Sequence, residues 1–167
     1  AGRRQGGMSL TYATLATLIK YPYPSYNKNG RKKYNIFYSE IETFKKVMKG
    51  CGIKCLDESS MIYARHPLSY IMEAADDICY LILDMEDAQK RGIVQTQQAD
   101  IFFSSFFKED EKWFHDRKYS VYETVTDDNE RMAFLRATVI NKLVDCVSNV
   151  FVENYNAIME GDFEKSL

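Results

Sequence analysis

The chain has 167 residues, 46% hydrophobic and 14% aromatic, which suits one domain with a packed core. A charged fraction of 28% with only 3 prolines excludes a disordered chain, and the short, charge-interrupted apolar runs exclude a transmembrane helix. The start, AGRRQGGMSL, has basic residues but no apolar stretch, so it does not read as a secretory signal. The four cysteines, at 51, 55, 79 and 146, lack a second Cys or His pair at zinc-finger spacing and read as reduced thiols of a cytoplasmic protein.

The formal net charge of −2 hides a polarity. Residues 1–54 carry 11 Lys and Arg against 2 Asp and Glu, a net of +9, and the remainder carries −11. Such asymmetry marks either a surface for nucleic acid or another anion, or two halves that attract each other within one fold.

In chain order, LTYATLATLIKY (Leu10–Tyr21) places Leu15, Leu18 and Ile19 at helical spacing and stops at Pro22 and Pro24. A basic loop follows, with its turn at Asn29-Gly30. SEIETFKKVMKG predicts a helix from a Ser39 N-cap to Gly50, with Ile41, Phe44, Val47 and Met48 on one face. Pro67 opens a long helix at its first position, and Arg91-Gly92 closes it. Phe102, Phe103, Phe106 and Phe107 form a stripe on the next helix, read as core rather than a platform for stacked bases. Asp116 to Tyr119 reads as a loop, and Tyr119–Thr126 carries a weak strand signal. From about Asp127 an amphipathic helix runs to Gly161. The expected fold is all-α, a single helical bundle over residues 1–167.

The helix after Pro67 is unusual. On a wheel of about 100° per residue, Glu73, Asp76, Asp77, Tyr80, Asp84 and Asp87 share an arc of about 100°, with Glu86 outside it. Apolar residues fill most of the remaining circumference, which predicts a helix buried over most of its girth with one acidic strip. Like charges on such a strip repel unless a metal, or Lys and Arg from the basic half, lies among them. Asp76, Tyr80 and Asp84 are successive turns apart, about 12 Å from first to last, a span of nucleotide length. A carboxylate is a hard ligand for Mg²⁺ or Mn²⁺, a tyrosine ring packs on a sugar, and a second carboxylate accepts from a hydroxyl.

RHPLSYIMEAADDICYLILDMEDA (Arg65–Ala88) closely resembles the second metal-ligand segment of the deoxyguanosine triphosphate triphosphohydrolases, in the HD-domain superfamily. MSLTYATLATLIKYPYP (Met8–Pro24) and the segment Phe134–Leu167 are similar to neighbouring parts of the same family, in the same order. The resemblance implies an all-α fold and a dNTP substrate hydrolysed to deoxynucleoside and triphosphate. It implies a divalent metal, Mg²⁺, Mn²⁺ or another transition metal, with Asp76 as its last ligand. Tyr80 would lie against the deoxyribose, Asp84 would accept from the 3′-hydroxyl, and Lys20 would contact phosphate with Tyr21 nearby. Glu73, Asp77 and Asp87 would orient these groups. The family's earlier ligands, a lone His and an adjacent His-Asp pair, belong upstream, so the chain is expected to be a central portion that is inactive alone. His66 reads as a capping or loop histidine, and His115-Asp116 as a chance likeness to the His-Asp pair.

A homo-oligomer is implied by the same resemblance. Two rivals remain. An all-α NTP pyrophosphohydrolase would use an E-x-x-D pair such as Glu73 and Asp76, and would release pyrophosphate. A non-enzymatic helical module would bind single-stranded nucleic acid through Lys28, Arg31, Lys32 and Lys33.

Overall fold

The computed structural model describes residues 8–27, 32–163, 165 and 167; helices dominate, and the expected all-α class is borne out. In chain order the helices are α1 (Tyr12–Thr17), α2 (Ile41–Gly50), α3 (Pro67–Lys90), α4 (Thr96–Ser104), α5 (Lys112–Thr124), α6 (Asp128–Glu153) and α7 (Tyr155–Glu160). A short antiparallel hairpin, β1 (Cys55–Asp57) and β2 (Ile62–Tyr63), precedes α3 and was not expected from the sequence. Described residues up to 74, with those from 150 onward, form one compact unit; residues 75–149 form a second. Both α3 and α6 therefore contribute residues to each unit.

In the first unit, the Thr11 hydroxyl accepts from the Thr14 N–H and starts α1. The helix ends at Thr17, four residues short of the expected Tyr21. The prolines at 22 and 24 disfavour helical backbone at the residues before them, and the Tyr21 N–H donates instead to Asn35 Oδ1 at 2.7 Å. Ile19 to Tyr21 are thereby freed from helical geometry. The predicted face of α2 is found, with Ile41, Phe44, Val47 and Met48 buried against Ala16 and Ile36. Its expected Ser39 cap is replaced by a 3₁₀ turn over Tyr38–Glu40, where the Glu40 carboxylate accepts from the Phe37 N–H at 3.0 Å. The hairpin is tightened by Asp57, whose Oδ1 accepts from the Ser59 N–H and hydroxyl and the Ser60 N–H. The Asn29-Gly30 turn, together with Lys28 and Arg31, lies outside the described residues.

α3 begins at Pro67 as expected, and His66 Nδ1 accepts from the Leu68 N–H at 3.2 Å, so His66 is the capping residue the sequence suggested. Burial pushes the His66 pKa down, in keeping with this accepting, neutral ring. The helix closes with Gly92 at φ 69°, the Ile93 N–H returning to Ala88 O and the Gly92 N–H to Gln89 O.

The second unit is built around Ile82, Phe103, Phe107, Phe114, Leu135 and Val139, all buried. The phenylalanine stripe is thus core: Phe107 stacks on Phe114 with ring centroids 3.8 Å apart. Residues 116–119, expected as a loop, lie inside α5, as does the weak strand signal up to Thr124, while Val125 is extended. Phe114, Lys118 and Tyr122 fall on one helical face, and the latter two both reach the Asp100 carboxylate on α4. That bond, with burial, raises the Tyr122 pKa. The long C-terminal helix breaks at Asn154, whose side-chain amide donates back to Val150 O at 2.8 Å.

Candidate functional site

The six acidic residues of α3 occupy three distinct environments. Glu73, in the first unit, has a side chain only 13% exposed. One carboxylate oxygen is ion-paired with Lys20 Nζ, and the other lies 2.6 Å from Arg65 Nη2. Lys20 comes from the stretch freed by the early end of α1, pinned by the Ser69 hydroxyl donating to Ile19 O at 3.1 Å. Burial alone would push the Glu73 pKa up, but hydrogen bonds from Lys20 and Arg65 outweigh it and hold the carboxyl below its ordinary value. The expectation that basic residues of the N-terminal half meet an acidic residue of this helix is met here by Lys20.

Arg65 is a residue the sequence reading did not single out. Its Nη2 also donates to Ser69 O at 3.2 Å, its guanidinium carbon stands 4.1 Å from the Tyr70 ring centre, and its Nε is enclosed without a partner among the described residues. It lies before the helix begins, where no periodicity relates it to Glu73. Lys20, Tyr21 and Arg65 line a cavity of about 450 Å³ together with Tyr63, Tyr70 and Phe163. Lys20 and Lys33 both place their ammonium groups within 5.8 Å of the Tyr21 ring centre.

Glu86 is the outlier on the wheel and the outlier in the structure. It is 3% exposed in the second unit, with one oxygen 3.0 Å from Lys90 Nζ and the other 3.0 Å from Arg136 Nη1. Two cations satisfy both oxygens, which is what permits so deep a carboxylate.

Asp76, Asp77, Asp84 and Asp87 are exposed, and none has an ion-pair partner among the described residues. Tyr80 lies between Asp76 and Asp84 and is 65% exposed. Asp77, Tyr80 and Asp84 edge a shallow depression floored by Leu81, Met85 and Ala88. The expectation that α3 is buried over most of its girth is corrected: Ile71, Met72, Leu81 and Leu83 are between 39% and 50% exposed. The buried line runs through Tyr70, Ala74, Ile82, Glu86 and Gln89, a single stripe, because nothing in the described residues covers the other apolar side.

Among the described residues no three His, Cys, Asp or Glu side chains converge as a metal site. His66 is committed to the α3 cap, and exposed His115, on α5, has its Nε2 3.1 Å from Lys108 O in the turn before that helix. No described helix is long and apolar enough to cross a membrane.

Among known proteins, the chain is 35% identical over 172 residues to a deoxyguanosinetriphosphate triphosphohydrolase-like protein of Listeria monocytogenes, covering 98% of this chain and 35% of that protein. A protein of the same name from Pseudomonas aeruginosa is 30% identical over 97% of the chain and 36% of its own length. The deoxyguanosinetriphosphate triphosphohydrolase of Salmonella typhimurium is 27% identical over 96% of the chain and 34% of its own length. No family model matches. The chain is therefore homologous to proteins named as nucleotide hydrolases. As its motifs implied, the chain aligns along nearly its whole length with a segment of proteins named deoxyguanosinetriphosphate triphosphohydrolase or triphosphohydrolase-like, and it spans about a third of the length of these curated relatives.

Proposed function

We propose that the chain is the part of a metal-dependent dNTP triphosphohydrolase that supplies one metal ligand, the sugar contacts and a phosphate-binding lysine, with dGTP as the substrate. The observation that carries this reading is the exposed series Asp76, Tyr80 and Asp84 at one-turn spacing on α3, a helix whose sequence resembles the family's metal-ligand segment. Asp76 presents an unpaired carboxylate to a divalent cation, Mg²⁺ or Mn²⁺. When bound, such a cation supplies positive charge beside the α-phosphate and an acidified water. Tyr80 offers its ring to the deoxyribose, and Asp84 accepts from the 3′-hydroxyl, so both fix where the nucleoside lies. Lys20, with Tyr21 beside it, balances charge on the triphosphate. Asp77 and Asp87 flank these groups on the same strip, and Glu73 acts on Lys20 rather than on the metal ligand. The reaction breaks the bond between O5′ and the α-phosphorus; the oxygen of water stays on the triphosphate and the nucleoside leaves with a 5′-hydroxyl.

The pairing of Glu73 with two cations weighs against the pyrophosphohydrolase alternative, which needs Glu73 and Asp76 as a metal-holding pair. Product analysis separates the two: the full-length protein incubated with dGTP and Mg²⁺ or Mn²⁺ is expected to release inorganic triphosphate and deoxyguanosine on ion-exchange chromatography. Release of pyrophosphate with dGMP would contradict the proposal. A homo-oligomeric assembly belongs to the same reading and is checked by light scattering on the full-length protein.

A further inference from the structure

Glu73 holds two cations in different settings, and the ammonium of one, Lys20, also stands 5.8 Å from the Tyr21 ring centre. Arg65 is fixed three ways: its Nη2 bonds both Glu73 and Ser69 O, and its guanidinium lies on the Tyr70 ring. The Tyr70 hydroxyl in turn donates to Phe163 O, so the platform beneath Arg65 is itself tied down. The Arg65 side chain is 17% exposed. Lys20 is 39% exposed and reaches Glu73 through a flexible four-carbon stem ending in a single ammonium. Both border the same cavity, where the lining also includes Asp162, itself ion-paired with Lys54.

We propose that Arg65 is a positioning residue, which keeps the Glu73 carboxylate paired so that Lys20 can move from Glu73 onto the triphosphate of the substrate. This inference rests on the reading of Lys20 as a phosphate contact. A carboxylate only 13% exposed is costly to leave without a cation. If Lys20 were its sole partner, every departure of Lys20 toward phosphate would strand it. With Arg65 in place, Glu73 parks Lys20 beside the cavity and releases it without being stranded. Glu73 then acts as a holder for the lysine, and Arg65 as the group that makes the holder reversible.

The test is affinity for inorganic triphosphate, measured by isothermal titration calorimetry on the full-length protein and its variants, with circular dichroism to check each fold. Arg65→Met is expected to weaken binding on the order of tenfold, because Lys20 becomes locked on Glu73. Arg65→Met combined with Glu73→Gln is expected to restore affinity to within about threefold of the starting protein, since no carboxylate remains to be stranded. Arg65→Lys should lose less than Arg65→Met. A merely structural Arg65, or one that touches phosphate itself, predicts no recovery in the double variant, and that result overturns the inference. Should Arg65→Met fail to fold, Glu73→Gln alone decides: triphosphate binding at least as tight as the starting protein supports the inference, and weaker binding overturns it. Lys20→Met separates the two levels of argument. If Lys20→Met binds triphosphate unchanged, or the unmodified protein does not bind it, the underlying reading of Lys20 fails. If Lys20→Met weakens binding while Arg65→Met does not, only the positioning role fails.

Discussion

At the scale of single residues, the carboxylates of α3 separate by what surrounds each one. Glu73 and Glu86 are enclosed and each holds two cations, whereas Asp76, Asp77, Asp84 and Asp87 stand in solvent. Because the folded pKa of Glu73 lies below its unfolded value, its pairing stabilises the fold fully above about pH 4.3 and loses that effect as pH falls through the depressed folded value. The difference in urea midpoint between the starting protein and Glu73→Gln should therefore be present at pH 7 and shrink toward zero in acid. A difference that grows on acidification would contradict the ion pairing. Gly161 combines a φ of 77° with a close approach, an added Cβ falling 2.6 Å from Ala64 Cβ. Gly161→Ala is expected to destabilise the chain by more than about 1 kcal/mol, read from chemical denaturation. The exposed acidic arc was legible in the sequence, and capping was one of the two readings it offered for His66. Arg65 was not legible there, because a residue outside the helix meets Glu73 only through the turn that Pro67 and His66 impose.

At the scale of elements, α3 combines one buried stripe with an exposed acidic strip and an uncovered apolar side. Adjacent residues should then behave very differently. Ile82 is fully buried in the second unit's core, so Ile82→Ala is expected to cost about 2–5 kcal/mol. Leu83, 41% exposed one residue later, should cost less than about 1 kcal/mol on the same change, both measured by urea denaturation. The boundaries of α3 and the face of α2 were readable because proline, glycine and apolar spacing agree there. α5 was misread because its register is set by Asp100, which draws Lys118 and Tyr122 to one side, while Val121 and Thr124 carry a local strand bias. The break before α7 was hidden for a related reason: Asn154 fits a helical pattern but turns its amide back on Val150 O.

At the scale of the whole molecule, the chain carries two compact units and matches about a third of the length of its curated relatives. In the function proposed above, Asp76 is a metal ligand of a triphosphate-releasing hydrolase. Metal content and triphosphate release from dGTP, measured together on the full-length protein and its Asp76→Ala variant, test it most directly. Loss of several kcal/mol of stabilisation by the metal predicts at least about a hundredfold slower release, with the bound metal lost as well. Undiminished release, or an unchanged metal content, would contradict the account.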